Sequence, residues 1–287
     1  MTTDTGHSTH GLEVAVDGPI MHLTLDRPKK LNALDLDLVE ALAAAQDTAR
    51  QRTDIRVLIL SGRGRAFCAG ADLDYVQKMY RDPTRARHYL HSLRDMIRGF
   101  ELLPQPVVCV VHGVVLAGGL ELMMGCDIVL AASSARLGDQ HSNYGFVPGG
   151  GGTQRLPRLV GQAAALDIIL TGRWLEAEEA RTLGLVSRVV PDEDLVERGR
   201  QLAADLARKS PQAALVSKQL VRKGLEMRLT DALDAEIEAV GDHYLAADFE
   251  IGLAAFKDRV QPEFVDRPGE VPSNRDGEAE GHSDQDL

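Results

Sequence analysis

Aromatic residues are nearly missing from this chain: they make up 4% of its 287 residues, and tryptophan occurs once. An interior poor in rings must be filled by Leu, Val, Ile and Ala, and a hydrophobic content of 44% supplies enough of them for a sizeable core. Positive charge is also short. A net charge of −11 argues against nucleic acid or an anionic membrane surface as the main partner. Cysteine is limited to Cys68, Cys109 and Cys126, odd in number, far apart and in no CxxC arrangement. Neither a disulfide framework nor a zinc site is implied. No apolar run reaches about 18 residues, the length a membrane helix needs. The start, MTTDTGHSTH, lacks the basic and apolar regions of a signal peptide. The expectation is a soluble, cytoplasmic protein with no metal site and no membrane contact.

The charge is uneven. Residues 265–287 carry seven acids against two arginines, a net −5, with Gly, Pro and Ser and almost no large apolar side chain. That composition reads as a disordered acidic tail, and residues 1–11 read as a disordered N-terminus. Between them, LEVAVDGPIMHLTLDRP (12–28) alternates apolar and polar residues around Asp17-Gly18-Pro19, a hairpin pattern. Residues 33–51 place Leu38, Leu42, Ala45 and Ala49 at helical spacing. Buried strands are expected at 55–62, 106–113 and 126–133. Helices are expected at 84–103, 118–125, 158–172 and 176–184, and a short strand at 185–190. From Asp192 to about Gln261 nearly everything reads as helical. No internal sequence repeat is visible. Strands and helices alternate first and helices alone follow, the pattern of an α/β core with a C-terminal helical region.

Two stretches can carry chemistry. In GRGRAFCAGADL (62–73) a strand runs through glycines into a helix, exposing backbone N–H groups that can hold an anion. The pattern is common, it is neither a P-loop nor GxGxxG, and a structural turn fits it as well. In HGVVLAGGLELMMGCDIVLA (112–131) another strand leads through Ala117-Gly118-Gly119 into a helix. That helix holds Glu121 among Leu120, Leu122, Met123 and Met124. A carboxylate in such company is costly to bury unless it is paired or used. Burial would raise its pKa toward that of a working acid or base. A salt-bridged structural glutamate is the competing possibility.

With LTLDRPKKLNAL, PGGGGTQRLPRLVG, EAEEARTLGLVSRVV and GLAAFKDRVQPEF, these motifs make the chain resemble the enoyl-CoA hydratase/isomerase, or crotonase, superfamily over residues 12–264. The resemblance implies an α/β fold, a crotonase-like spiral of ββα units, over 12–200, with a C-terminal helical trimerisation region over 201–264. It implies a CoA thioester as substrate, coenzyme A as part of that substrate rather than a cofactor, and assembly as a trimer or a pair of trimers. The backbone N–H groups of Ala71 and Gly118 would form the oxyanion hole. Lys29, Lys30, Leu31, Ala69, Asp72, Leu73 and Arg259 would line the CoA site. Asp74 stands where several relatives carry a lysine.

Glu121 matches the family's first catalytic glutamate, and His141 occupies the position of the second. Imidazole moves protons near neutral pH with little tuning, so His141 can take over that role, although not the charge. If residues 138–141 are extended, Asp139 and His141 share a face, and Asp139 can orient the ring. Tyr144 is placed as a further supporting residue. Four activities stay open: hydratase-type addition or removal of water, double-bond isomerisation, hydrolysis of a thioester or β-diketone, and acyl-CoA binding with little turnover.

Overall fold

The computed structural model describes residues 4–264. The chain starts as an antiparallel meander of β1 (Asp4–Thr9), β2 (Leu12–Asp17) and β3 (Ile20–Leu25). The β2–β3 hairpin falls where the alternation predicts it. Of the N-terminus expected to be disordered over 1–11, Asp4–Thr9 form strand β1, and residues 1–3 lie outside the described residues. His10 (φ 53°) and Gly11 (φ 79°) form a two-residue turn with both φ positive, which folds β1 back onto β2. The pairing is a property of the backbone and the turn, not of apolar side chains. Residues 265–287, read as an acidic tail, lie outside the described residues.

Helix α1 (Leu36–Gln51) starts at Asp35, whose side chain accepts from the Leu38 N–H, and buries Leu38, Val39, Leu42, Ala45 and Ala49. It carries the chain over to β4 (Val57–Gly62), parallel to β3. From there the topology repeats although the sequence does not. A long strand joins one sheet, a short strand joins a second, and helical structure returns the chain. The first unit is β4, β5 (Ala66–Cys68), α2 (Leu73–Met79) and α3 (Pro83–Leu102). The second is β6 (Val107–Val111), β7 (Val114–Leu116) and α4 (Gly118–Met124). The third is β8 (Ile128–Ala132), β9 (Arg136–Gly138), a 3-10 turn (His141–Tyr144), α5 (Gly152–Val160) and α6 (Gln162–Thr171). Then come β10 (Trp174–Glu176), α7 (Ala177–Thr182), β11 (Arg188–Val190) and α8 (Leu195–Ala207).

The large sheet runs β1-β2-β3-β4-β6-β8-β11 and the small one β10-β9-β7-β5. Each unit therefore advances one strand in both sheets, which is the expected spiral of ββα units. The core is one cluster that takes in β4 and β6, apolar throughout their buried length, and the buried faces of α1, α3 and α8.

The helix expected at 158–172 is two helices. They are separated by Gly161, whose φ of 81° and ψ of 158° no helix can hold. α8 straddles the expected boundary at residue 200 and packs on β3, β4, β6 and β8, so the core extends to Ala207. The helices beyond it are α9 (Pro211–Gly224), α10 (Leu229–His243) and α11 (Ala247–Asp258).

Leu60 of β4 is fully buried between the layers. Leu60→Ala is expected to lower unfolding stability by about 2–5 kcal/mol through lost transfer energy plus a cavity. Chemical denaturation with an unchanged m-value checks this.

Candidate active site

The second sheet exists to bring loops together. Its strands end at Cys68, Leu116 and Gly138, and the residues that follow each end meet. After Leu116, Ala117 takes φ 49° and ψ −117°, a region that glycine enters freely and alanine rarely. Such a conformation costs on the order of 1–3 kcal/mol and persists only when its surroundings enforce it. Here its N–H donates to the Gly138 carbonyl (3.0 Å), and the turn directs the next amide, that of Gly118, out of the strand ladder. A β-carbon on Gly118 would stand 3.4 Å from the Ala71 nitrogen, so the two amides expected to act together lie side by side. Among the described residues neither N–H donates to a protein acceptor. Gly119 must lack a side chain for α4 to settle here, since a β-carbon would sit 2.3 Å from the Cys68 carbonyl oxygen.

α4 carries Glu121, 1% exposed. Its Oε1 accepts from the N–H groups of Gly150 (2.8 Å) and Gly152 (2.7 Å). Gly152 is the first residue of α5, so the carboxyl faces the positive end of a helix. This explains the glycine run. A β-carbon on Gly150 would lie 2.7 Å from Oε2, and one on Gly152 would lie 3.0 Å from Oε1. Burial raises the Glu121 pKa; the two amides and the His141 charge pull the other way without cancelling it.

Residues 138–141 are not extended. Gln140 is left-handed (φ 60°) and His141 opens the 3-10 turn. That reversal still brings the expected pair together. His141 Nδ1–H donates to Asp139 Oδ1 at 3.0 Å, and Asp139 is 1% exposed. Burial works against an imidazolium. The Asp139 hydrogen bond and charge, with the Glu121 charge, outweigh it, so the pKa of His141 lies above its ordinary value. Nε2 has no protein partner among the described residues. Ser142 Oγ, also buried, likewise has none. Tyr144 does not support the ring: it is 73% exposed and lies against Phe146, with ring centroids 6.3 Å apart.

The expected CoA-site residues are partly assembled. Hydrogen bonds from Ala69 N–H to the Leu31 carbonyl, Leu34 N–H to Gly70 and Asp72 N–H to Leu34 join the 28–34 segment to the 69–72 loop. Asn32, which the sequence did not single out, anchors the junction. Its buried amide accepts from the Arg27 N–H and donates to the carbonyls of Arg63, Ala66 and Phe67. Lys29 is exposed and has no ion pair among the described residues, and Leu73 is exposed. Lys30 pairs with Asp74. The Asp72 carboxylate is already committed: it caps α2 and pairs with Arg27 at 2.9 Å, so it shapes the loop instead of offering a free contact. Arg259 stays exposed just past α11, with no bond to the Lys29–Leu31 turn or the 69–73 loop.

Unpartnered backbone amides, a buried carboxyl and an aspartate-bound histidine on neighbouring loops are the kinds of group that enzymes of proton transfer and oxyanion stabilisation use. The comparisons with known proteins agree with that class. The enoyl-CoA hydratase/isomerase family model matches residues 16–267. A probable enoyl-CoA hydratase of Mycobacterium bovis is 36% identical over 245 residues, covering 85% of this chain and 94% of that protein. A short-chain-enoyl-CoA hydratase of Clostridium acetobutylicum is 34% identical over 84% of this chain and 92% of its own length. The crystal structure of an enoyl-CoA hydratase from Bacillus anthracis superimposes with a TM-score of 0.85 at 35% identity, over 91% of this chain and all of that one. The chain belongs to the enoyl-CoA hydratase/isomerase family.

The His141 titration should show its partner directly. By NMR, the imidazole is expected to titrate above its usual 6.5. In Asp139→Asn the raising hydrogen bond and charge are lost while burial remains, so the midpoint must fall. An unmoved midpoint would exclude the pair as the cause.

Proposed function

We propose that this protein adds water across the α,β double bond of a CoA thioester, or removes it in reverse. The observation that carries this reading is the Glu121 carboxyl, buried and fixed by two amides, beside a histidine whose Nε2 has no protein partner. Glu121 in its ionised form takes a proton from water, whose oxygen attacks the β-carbon. The displaced electron pair moves to the thioester oxygen, and the Ala71 and Gly118 amides hold the resulting enolate. Each such donor typically lowers the barrier by about 3 kcal/mol. The enolate then collapses, taking a proton at the α-carbon from Nε2 of the imidazolium. Glu121 ends protonated and His141 neutral, and exchange with solvent restores both.

The relatives named as hydratases support this reading. Hydrolysis is the second possibility, because an Asp–His pair can also orient a base. It would need neutral imidazole as that base. The raised pKa of His141 favours the acid instead.

The CoA moiety is assigned to Lys29, Lys30, Leu31, Ala69 and Leu73, with Arg259 contributing from a neighbouring subunit of a trimer or a pair of trimers. The self-association rests on Leu225, Leu229, Ile237 and Phe256, large apolar side chains left exposed on or beside α10 and α11. Three buried free thiols suit a reducing, cytoplasmic setting.

With crotonyl-CoA, loss of the enoyl absorbance and a product heavier by one water are expected. Glu121→Gln should lower kcat by about 10²–10⁴-fold. Release of free CoA without hydration would favour hydrolysis. In light scattering the chain should run as a trimer or hexamer, and a monomer at working concentration would remove the shared CoA site.

A further inference from the structure

The loop that holds Glu121 is itself held. Arg155, in the first turns of α5, reaches back over Gly151. Its Nη1 donates to the Gly150 carbonyl at 2.8 Å, and its Nε donates to Glu101 Oε1 at 2.5 Å. The guanidinium passes so close that a β-carbon on Gly151 would lie 2.0 Å from Nη1, and Gly151 holds φ 110° there. Glu101, at the end of α3, is buried and shared: Arg98 Nη1 meets its other oxygen at 2.6 Å, and Arg222 of α9 approaches at 3.8 Å. Burial opposes its charge, yet the hydrogen bonds from Arg155 and Arg98 keep its pKa below the usual glutamate value, so the anchor is ionic. One residue, Gly150, is thus held from both sides. The Gly150 carbonyl is tied to Arg155, and the Gly150 N–H is tied to Glu121.

We propose that Arg155 is a positioning residue for the reaction: by clamping the Gly150 carbonyl to the Glu101 anchor, it keeps the Gly150 and Gly152 amides at the spacing where both reach one oxygen of Glu121. The inference rests on Glu121 as the group that takes the water proton. It deepens that role by naming what fixes its aim and acidity. Without the guanidinium the Gly150 carbonyl loses its donor, the glycine loop relaxes, and the carboxylate loses amide bonds while its burial stays. Loss of donors to the ionised form moves a carboxyl pKa upward.

The other groups facing Glu121 do not provide this control. His141 and Asp139 face it from the turn after β9 and act through charge. Tyr89 of α3 is raised by burial and stays neutral.

The test uses the full chain and two variants, Arg155→Ala and Arg155→Lys. Carboxyl-¹³C NMR follows the Glu121 titration, with Glu121→Gln identifying its resonance, and steady-state kinetics runs in parallel. In Arg155→Ala the midpoint should rise by about half a pH unit or more. Its kcat should fall about 10–100-fold with KM within about twofold, as expected of a misplaced catalytic group. Arg155→Lys keeps the positive charge but loses the planar fork that reaches Glu101 and the Gly150 carbonyl at once. It should recover thermal stability while leaving the midpoint raised. If Arg155→Ala does not fold, the lysine variant decides alone. A wild-type midpoint in a folded variant, or full recovery of midpoint and kcat by lysine, overturns the proposal. The NMR midpoint does not depend on turnover. A shifted midpoint in an enzyme that hydrates no enoyl-CoA would therefore discard the hydratase assignment and keep the clamp.

Discussion

A carboxyl group buried in an apolar helix has to be met by donors, and here the donors are backbone. Glu121 sits among leucines and methionines on α4, and its bonds come from the amides of Gly150 and Gly152. Much of the surrounding structure follows from that contact. α5 must point its N-terminus at the carboxyl. The residues ahead of α5 must be glycines to come close enough. The loop from β9 to α5 must turn sharply, which places His141 and Asp139 beside the same carboxyl. Amides suit the task because they favour the ionised form without supplying a counter-charge that would fully neutralise it. The group stays more easily protonated than a surface glutamate while remaining able to ionise.

The opposite wall of the site is also made of backbone. Ala117 holds a conformation that alanine rarely adopts, and that turn frees the Gly118 amide from the strand ladder. The neighbouring Ala71 amide is free because the Leu34 backbone pairs with Gly70 and Asp72, on either side of it. Strain at Ala117 is sustained by packing on three sides: β5 beneath Gly119, the Gly138 carbonyl on the Ala117 N–H, and Gly70 in contact with Gly118. On the proposed reading these two amides are preorganised donors, so charge could develop on an oxygen held there without rearrangement of the backbone.

The sequence made some of this legible and left some out of reach, for physical reasons. The β2–β3 hairpin and α1 are legible from apolar residues at regular spacing, and β4 and β6 from continuous apolar runs. Glu121 was visible as a carboxylate in the wrong company, and His141 as a departure from a recognisable pattern. The fixed Asp139–His141 pair was expected from strand alternation, yet it arises from a left-handed turn at Gln140. The start of α5 was hidden because glycines have low helix propensity, and they are there for a contact with a residue some thirty positions away. Asn32, Arg155 and Glu101 were invisible for a related reason. Each reads as an ordinary polar residue until its partners, distant in sequence, are in place. β1 was missed because its pairing comes from a two-residue turn and an open strand edge rather than from apolar pattern. Tyr144, close to His141 in sequence, points into solvent beside Phe146, because proximity along the chain does not put a side chain beside the ring.

The central claim is that the Ala71 and Gly118 amides form one receptor for a thioester oxygen, with Glu121 and His141 facing the carbons next to it. The most direct measurement is a crystal structure of the chain with an unreactive CoA thioester bound. The account predicts the thioester oxygen about 2.7–3.1 Å from both nitrogens, with the α- and β-carbons lying between the Glu121 carboxyl and His141 Nε2. A thioester bound with its oxygen away from either amide, or with its β-carbon turned from Glu121, would contradict it.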